Sequence, residues 1–503
     1  MSMVHPGLGL SRVDPRTSVA RIFLLVALLA ASLTWALSAS AQQPKSSPPS
    51  RTQTAQQPQA QEAESKISPQ EAEELFHEVD DILQFASKET LLPVKEEVKK
   101  RLTTRDEVVD YLKKTMAEDK DAQRLRRAEL VLKKFGLLPK DFDLQDFLLT
   151  LLREQVAGYY DPKTKTVNLL DWIGGEQQRP VMAHELTHAL QDQSFGLEKW
   201  MKAGDIDLAT IQQPTAADLE ADEISEARQA VVEGQAMVVL VDYMLAPTGQ
   251  SLLGSPQIAD ALKEGMLVGT ADSPVFQNAP IFMKEELTFA YRYGLDFETE
   301  LLRKGGKDKA FAAVFANPPA NSRQIMEPAT YLAGERLDPM RLPNFKEDFM
   351  NYETFDMGAM GEFDVAILVD QFAGGDAAHL IYPHWRGGYY YAARPKADPK
   401  APLALLYLSR WSDADAAEKF AAIYARSLAE RYKHVREIAG EGKRPDGEQA
   451  APQTLKGSHG WLTEEGPVVV SAEGDTVLIT ESFDQPTTER LQKELLPAAA
   501  IVK

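Results

Sequence analysis

The sequence contains no cysteine among its 503 residues. This absence excludes disulfide bonds, thiolate metal sites, cysteine nucleophiles and lipid anchors attached to cysteine. Any metal ion must therefore be bound by histidine, aspartate or glutamate. Histidine is also scarce, with 8 in the whole chain, so two histidines at a ligand spacing are an informative signal.

Positive charge is in short supply. The chain has 55 lysines and arginines against 75 aspartates and glutamates, a formal net charge of −20. Nucleic acids and anionic membrane surfaces repel such a protein, so we expect neither as a partner. The simplest interpretation of the charge is solubility. A hydrophobic content of 44% still permits a sizeable core, and the length predicts two or three domains.

Long apolar runs are confined to the N-terminus. Arg12, Arg16 and Arg21 precede the uncharged stretch "IFLLVALLAASLTWALSA", and small residues at Ala39–Ala41 suit a signal peptidase. Residues 1–41 therefore predict an export signal, with a retained membrane anchor as the alternative. Either places the bulk of the protein outside the cytoplasm, as a periplasmic, secreted or cell-surface protein. We expect no later segment to cross a membrane.

The composition divides the remaining chain into three parts. Residues 42–67 are rich in proline, glutamine and serine, which predicts a disordered linker. Ser68 as a helix cap and Pro69 at the first helical position begin the folded part, which is mostly helical to residue 382. Residues 383–503 combine predicted strands with a strong helix capped by Asp413 and form a small module. The fold class is therefore α+β, mostly helical.

The segment "VMAHELTHALQDQ" carries the clearest chemistry. His184 and His188 are four residues apart, so in a helix both imidazoles point from one face at one metal ion. Glu185 is rotated by about 100° from His184 and can act as a general base without being a ligand. Pro180 suits the first position of this helix and Gly196 its end. The preceding "YYDPKTKTVNLL" predicts two strands joined by a turn.

A catalytic zinc ion needs a third protein ligand. The next predicted helix, "TAADLEADEISEARQAVVEGQAMVVLVDYML", offers Asp222, Glu226, Gln229 and Glu233 on one face. Glu233 stands where the helix becomes apolar, and a buried carboxylate needs a partner or a metal. We therefore select Glu233 as the third ligand. Gly234 beside it would let a neighbouring backbone approach closely.

Two further carboxylates lie near this motif. Glu226, two turns before Glu233, is either the alternative ligand, a group that orients a ligand histidine, or part of a solvated acidic face. Asp192, one turn past His188, either hydrogen bonds a ligand histidine or lies at the surface. The sequence leaves these alternatives open.

With these residues in place, the chain resembles the gluzincin group of zinc metallopeptidases. The matching segments are "HELTH" and, further on, "VEGQA", in which Val232 replaces the usual asparagine. Over about Ser68–Ala421 it is also similar to a family of exported prokaryotic proteins with a zinc-peptidase-like domain. The shared segments are "VAGYYDP", "HELTHALQDQ", "VVEGQA", "FAYRYGLDF", "NPPANSRQI" and "YPHWRGGYYY".

The resemblance implies a zincin-like domain over residues 68–382, with a small sheet whose edge strand borders the active-site helix. Lys165–Leu170 fits that edge strand, along which a peptide or protein substrate would lie. The resemblance further implies one Zn²⁺ per chain. Gluzincins usually add a tyrosine or histidine that stabilises the oxyanion. Candidates are Tyr291, Tyr293, His379 and His384, of which we retain Tyr291 and His384.

The sequence therefore predicts an exported zinc metallopeptidase in which Glu185 activates a water at the ion. The alternative is a catalytically silent, metal-stabilised scaffold or binding protein of the cell envelope. The presence of Glu185 argues against this alternative, because Glu185 would have no structural role in it. A third hypothesis, that His184 and His188 are ordinary helix residues, involves no metal at all.

Overall fold

The computed structural model describes residues 67–116, 119–155, 158–202, 206–268, 273–440 and 453–497. The predicted export signal, residues 1–41, lies outside this part of the chain. So does the predicted linker, residues 42–67, except for its last residue. Both stay predictions.

The chain is mostly helical, as expected for its class. The α-helices are α1 Pro69–Thr90, α2 Arg105–Met116, α3 Asp119–Phe135, α4 Leu144–Gln155, α5 Gly175–Phe195, α6 Leu197–Met201, α7 Ala216–Leu245, α8 Pro256–Val268, α9 Pro274–Gln277, α10 Ile281–Asp308, α11 Val314–Ala316, α12 Ser322–Met326, α13 Pro328–Ala333, α14 Phe345–Asp348, α15 Glu362–Ala373, α16 Gly375–Ile381, α17 Ala414–Arg431 and α18 Gln485–Leu495. Short 3₁₀ turns lie at Leu208–Thr210, Ala246–Thr248, Leu252–Gly254 and Tyr382–His384, and a π turn at Lys309–Ala313.

Two sheets accompany the helices. Their strands are β1 Lys99–Thr103, β2 Tyr159–Asp161, β3 Thr166–Leu170, β4 Tyr352–Ala359, β5 Trp385–Pro395, β6 Ala404–Trp411, β7 Val435–Gly440, β8 Gly457–Thr463, β9 Gly466–Glu473 and β10 Thr476–Glu481. The first sheet has the order β1-β3-β2 and the second the order β4-β5-β6-β10-β9-β8-β7. In the second sheet every neighbouring pair is antiparallel.

The strand that precedes α5 is not the edge strand that we expected. β3 lies in the middle of the first sheet, parallel to β1 and antiparallel to β2. Its burial explains this position, because Val167 to Leu170 are all buried, as in a strand flanked on both sides. The strand that faces α5 from the sheet edge is β2. β1 carries mostly charged residues, "KKRLT", and this sequence does not predict a strand.

The second sheet takes its first strand from before residue 383, the boundary that we expected for the C-terminal module. β4 pairs with β5 along Tyr352–Ala359, although the sequence there predicts helix rather than strand. β9 and β10 form a hairpin that turns at Gly474 and Asp475. Helix α17 packs on one face of this sheet, and α14 and α18 bury the other.

Most of the local helix signals are confirmed. Ser68 and Asp413 cap α1 and α17 as expected. Thr215 caps α7 with the same reciprocal hydrogen bonds as Ser68. Gly196 ends α5 in the left-handed conformation. The assignment of Pro180 was wrong, since α5 begins at Gly175 and Pro180 lies inside it. A proline there has no N–H for the carbonyl one turn back, so this helix lacks one internal hydrogen bond.

One later helix is long and apolar enough to cross a membrane, contrary to our expectation. It is α7 with its 3₁₀ extension, Ala216–Thr248. Its apolarity has another physical explanation, because 72% of its most apolar window is buried inside the protein. A helix that is apolar on most sides is typical of a core as well as of a membrane span.

Helices α7 and α10 form the largest helix–helix contact in the core and meet at two glycines. A Cβ added to Gly234 would lie 2.3 Å from the Gly294 carbonyl oxygen, and one added to Gly294 would lie 2.3 Å from the Ala230 carbonyl oxygen. The close backbone approach expected at Gly234 is therefore present. It determines how far apart these two helices lie beside Glu233.

We expect Gly234→Ala to destabilise the protein by about 2–4 kcal/mol, because the methyl group forces two packed helices apart. Chemical unfolding followed by circular dichroism measures this change. Gly265→Ala is the matched control: Gly265 lies in helix α8 with no atom within 4 Å of its added Cβ. This control should be neutral or stabilising by up to about 1 kcal/mol. Equal effects of the two substitutions would contradict the packing argument.

Candidate metal centre

Helices α5 and α7 supply the motif residues, and the first sheet holds α5 in place. Gln178, fully buried in the first turns of α5, exchanges two hydrogen bonds of 2.9 Å with the backbone of Leu170 at the end of β3. Its amide also donates to the Ile173 carbonyl. This side chain joins strand to helix, and it thereby fixes where the following turns of α5 lie.

His184, His188 and Glu233 come together as expected from the sequence. The Nε2 atoms of the two histidines lie 3.1 Å apart, and Glu233 Oε2 lies 3.1 Å from His184 Nε2 and 3.4 Å from His188 Nε2. His184 and Glu233 are almost fully buried and His188 is 7% exposed. In the described part of the chain, this is the one group of three or more such side chains compact enough to hold a metal ion.

A chain of amides orients His188. His188 Nδ1 donates to Gln191 Oε1 at 2.9 Å, which leaves Nε2 free to act as a ligand. Gln191 Nε2 in turn donates to the Val232 carbonyl and to Gln235 Oε1 on α7. This network ties the ligand histidine of α5 to the helix that carries Glu233. Gln191 lies on the same face of α5 as His188, one turn later.

The three ligands attract positive charge. Burial works to raise the pKa of Glu233, but the charge on His188 and the hydrogen bonds from both histidines outweigh it and lower that pKa to about 2. Burial likewise opposes protonation of His188, yet the Glu233 carboxylate raises the pKa of His188 to about 9. A metal ion bound here would therefore compete with a proton for the same buried anion.

Glu185 lies beside this group with one oxygen held and the other free. Its Oε2 accepts a 2.8 Å hydrogen bond from the backbone N–H of Tyr160 on β2. Its Oε1 is buried and has no hydrogen-bond partner among the described residues. Burial raises the pKa of Glu185, while the nearby histidines act in the opposite direction. The edge strand thus positions the carboxylate, and one oxygen remains available.

Asp192 does not contact a ligand histidine. Its carboxylate accepts from the Tyr160 hydroxyl at 2.9 Å, from the Lys165 ammonium and from the Leu197 backbone N–H at 3.1 Å. Asp192 is buried, so a surface role is also excluded. It joins the hairpin of β2 and β3 to the end of α5, next to the metal group.

Of the two oxyanion candidates, the structure brings only Tyr291 to the metal group. The Tyr291 ring stacks on the His184 ring with centroids 6.2 Å apart, and its buried hydroxyl makes no hydrogen bond to the described residues. Burial raises the pKa of Tyr291, and the charges of Glu233 and Glu185 add to this effect. His384 bonds Ser412 and Asp413 instead, at the start of α17.

Glu226 does not belong to the compact group of His184, His188 and Glu233. It lines a cavity of about 230 Å³ that begins one to two turns before Glu233 on the same face of α7. We call this space the acidic cavity. Seven carboxylates of the described residues line it: Asp222, Glu223, Glu226, Glu286 and Asp364 come from three helices, and Asp207 and Asp356 are paired with Arg127.

The carboxylates of the acidic cavity raise one another's pKa values. Burial, followed by the neighbouring negative charges, raises the pKa of Glu223, Glu286 and Asp364 to about 7 each. The same two causes raise the pKa of Glu226 further. At neutral pH the cavity therefore holds protons as well as negative charge.

Sequence reasoning missed several residues near the centre. Gln191 was detectable from its helical spacing to His188. Tyr160, Glu286 and Asp364 were not, since they reach the site from other elements and no local pattern marks them.

No protein-family model, curated protein or solved structure matches the chain. A function therefore has to be inferred from the geometry of the metal centre itself.

We expect the purified protein to contain one divalent metal ion per chain. His184→Ala and Glu233→Gln should each lower metal affinity by more than about a hundredfold, since they remove a direct ligand rather than a supporting partner. Elemental analysis and competition with a chelating dye measure this. Glu226→Gln, on the same helix face as Glu233, is the control and should keep its metal. Loss of metal from Glu226→Gln alone would show that the wrong carboxylate had been chosen.

The acidic cavity should make the protein less stable as pH rises. A carboxylate whose folded-state pKa is raised binds its proton more tightly in the folded protein, so its unfavourable contribution grows as the pH rises above about 4.5. Relative to wild type, Glu226→Gln/Glu286→Gln should gain roughly 1–3 kcal/mol at pH 8 and little at pH 5. Urea unfolding at both values measures the gain. A gain that did not depend on pH would contradict this assignment.

Proposed function

We propose that the protein is an exported zinc metallopeptidase that hydrolyses peptide bonds. The observation that carries the proposal is the free oxygen of Glu185. It is buried beside a compact group of two histidines and a carboxylate, while the other oxygen is held by the edge strand. Leaving half of a buried carboxylate without a partner is costly unless a water molecule or a substrate occupies the place.

The spacing of the ligands fits zinc. Zinc–ligand bonds of about 2.0–2.1 Å in a tetrahedron place the ligand atoms roughly 3.3–3.4 Å apart. The three distances in the site are 3.1, 3.1 and 3.4 Å. Three protein ligands are typical of catalytic zinc, whose fourth position remains open. His184, His188 and Glu233 would hold the ion.

Zinc, when bound, supplies a Lewis acid that polarises the substrate carbonyl and makes a water molecule more acidic. Glu185 Oε1 accepts the proton of the attacking water and later delivers it to the amine that leaves. The Tyr160 N–H keeps the carboxylate in position during both transfers. The Tyr291 hydroxyl, unpartnered among the described residues and next to the ligands, is placed to donate to the oxygen that becomes negatively charged.

The first sheet offers a place for the substrate backbone. β2 is an edge strand beside the metal group, where its Tyr160 N–H is bonded to Glu185. An extended peptide can add to such an edge through main-chain hydrogen bonds, which are independent of side-chain identity. This arrangement supports an endopeptidase that binds its substrate as an additional strand beside α5.

One observation favours the silent scaffold as a second candidate. The three ligands and Glu185 are all at most 7% exposed, so a substrate has little access to them in this conformation. The hydrogen bond from Tyr160 also gives Glu185 a structural role, which we did not expect from the sequence. A metal that only stabilises the fold would need no more than this.

Proteolysis by wild type and by Glu185→Gln separates the two candidates. The Gln side chain keeps the acceptor for the Tyr160 N–H but cannot accept a proton, so the rate should fall by at least about a hundredfold. Cleavage of a broad peptide library, followed by mass spectrometry, measures this. Both proteins should contain equal amounts of zinc.

Zinc-loaded wild type that cuts no peptide in the library would contradict the peptidase and support the scaffold. Undiminished cleavage by Glu185→Gln would show that the activity belongs to another site or to a contaminant.

A further inference from the structure

Two carboxylates of the acidic cavity have no partner among the described residues. Asp222, Glu223 and Asp364 accept hydrogen bonds from the N–H groups of Ala359, Ser322 and Gly361 respectively. Glu226 on α7 and Glu286 on α10 line the same cavity, but neither makes a hydrogen bond or ion pair within the described part of the chain.

The nearby cations do not reach them. The arginine that lines the cavity, Arg124, lies 4.0 Å from Asp222 and donates to the Ile206 carbonyl. The next arginine on the same face of α3, Arg127, is paired with Asp207 and Asp356. Within the described residues, Glu226 and Glu286 thus line the cavity without a counter-ion. A further side chain, Gln229, is 8% exposed, lines the cavity and has no hydrogen-bond partner among the described residues.

Part of the cavity wall is apolar. It includes Leu132, Phe135, Leu144, Phe282, Met283 and Met360. An occupant must therefore combine an apolar stem with a positive end, as lysine and arginine do. A volume of about 230 Å³ is larger than one ion needs and smaller than the roughly 300–1,000 Å³ of a pocket for a whole small molecule. It suits a single side chain.

The cavity leads towards the metal centre. A small space of about 20 Å³ shares Glu226, Gln229 and Glu286 with it and is also lined by Tyr291, whose ring stacks on His184. Along α7, Gln229 lies one turn before Glu233, and Glu226 lies about 10 Å before Glu233. A side chain that enters the cavity therefore belongs to a residue held close to the metal group.

We propose that the acidic cavity binds the lysine or arginine side chain of a peptide substrate, adjacent to the bond that is cut. This inference rests on the proposed peptidase function and names its substrate class. Glu226 and Glu286 pair with the cation, Gln229 contributes a hydrogen bond, and the apolar wall packs on the stem.

A bound metal ion fits the cavity less well. Among the described residues, the carboxylates of the cavity contain no set of three whose oxygens lie within 4.8 Å of one another, whereas the histidine site does. Burial and neighbouring negative charge raise the pKa of Glu223 and Glu286 to about 7, so a cation bound there would displace protons at neutral pH. A basic side chain can meet the carboxylates at its tip without drawing all of them together.

Binding can be tested without turnover in the zinc-loaded Glu185→Gln protein. The probes are N-acetyl-lysine methylamide and N-acetyl-norleucine methylamide, which differ in the ammonium group. We expect the lysine probe to bind at least about tenfold more tightly, with release of protons at pH 7, as measured by calorimetry in two buffers. Adding Glu226→Gln and Glu286→Gln should reduce the preference to less than about threefold. Adding Glu264→Gln, on α8 away from the cavity, should leave it unchanged.

Equal binding of the two probes, or a preference that survives loss of both carboxylates, would overturn the proposal. So would calcium that displaces the lysine probe at equimolar concentration, since that outcome identifies a metal site. The cleavage arm uses wild type and peptides in which lysine is replaced by norleucine. Equal cleavage of the lysine and norleucine peptides would contradict the cavity assignment but would still support the peptidase function. Preferential binding of the lysine probe without cleavage of any peptide would contradict the peptidase function but would still support binding of a basic side chain in the cavity.

Discussion

A carboxylate buried between two histidines is the interaction on which the rest of the structure depends. Glu233 is 1% exposed, and its charge is tolerable there only because His184 and His188 face it. The two imidazoles belong to α5 and the carboxylate to α7, so meeting this requirement fixes how these helices pack. Gln191 and Gln235 reinforce the same contact, and the glycine contact brings α10 close to α7 at the residue next to Glu233.

Helix α7 therefore serves three purposes along one length. Its C-terminal half is buried in the core, Glu233 belongs to the metal group, and the face before it carries the acidic cavity. This arrangement explains why α7 carries carboxylates in its N-terminal half and is apolar enough in its C-terminal half to meet the length and composition criteria of a membrane span. It also explains the placement of Glu226. About two helical turns separate Glu233, which has two histidine partners, from Glu226, which has no basic partner among the described residues.

The burial of the centre gives the peptidase hypothesis its sharpest physical constraint. The histidines, Glu185 and Glu233 are enclosed by β2, α5, α7 and α10, and an extended substrate must gain entry between them. Asp192 holds the hairpin of β2 and β3 against α5 through Tyr160 and Lys165, so this hairpin couples the substrate edge to the metal helix. Glu185 has a role in both candidates: it is an anchor for Tyr160 and it also presents a free oxygen.

The sequence by itself determined the parts of the site that are local. Two histidines at helical spacing must share a face, and a lone carboxylate at the start of an apolar run is forced to be buried. His184, His188 and Glu233 were therefore predictable, as were the helix caps and the main hairpins. Tertiary structure alone decided that β3 is a central strand and that β4 joins the second sheet. It also decided that Glu286 and Asp364 meet Glu226, and that Tyr291 rather than His384 reaches the centre. These outcomes depend on contacts between residues far apart in the chain, for which helical and strand periodicity carries no information.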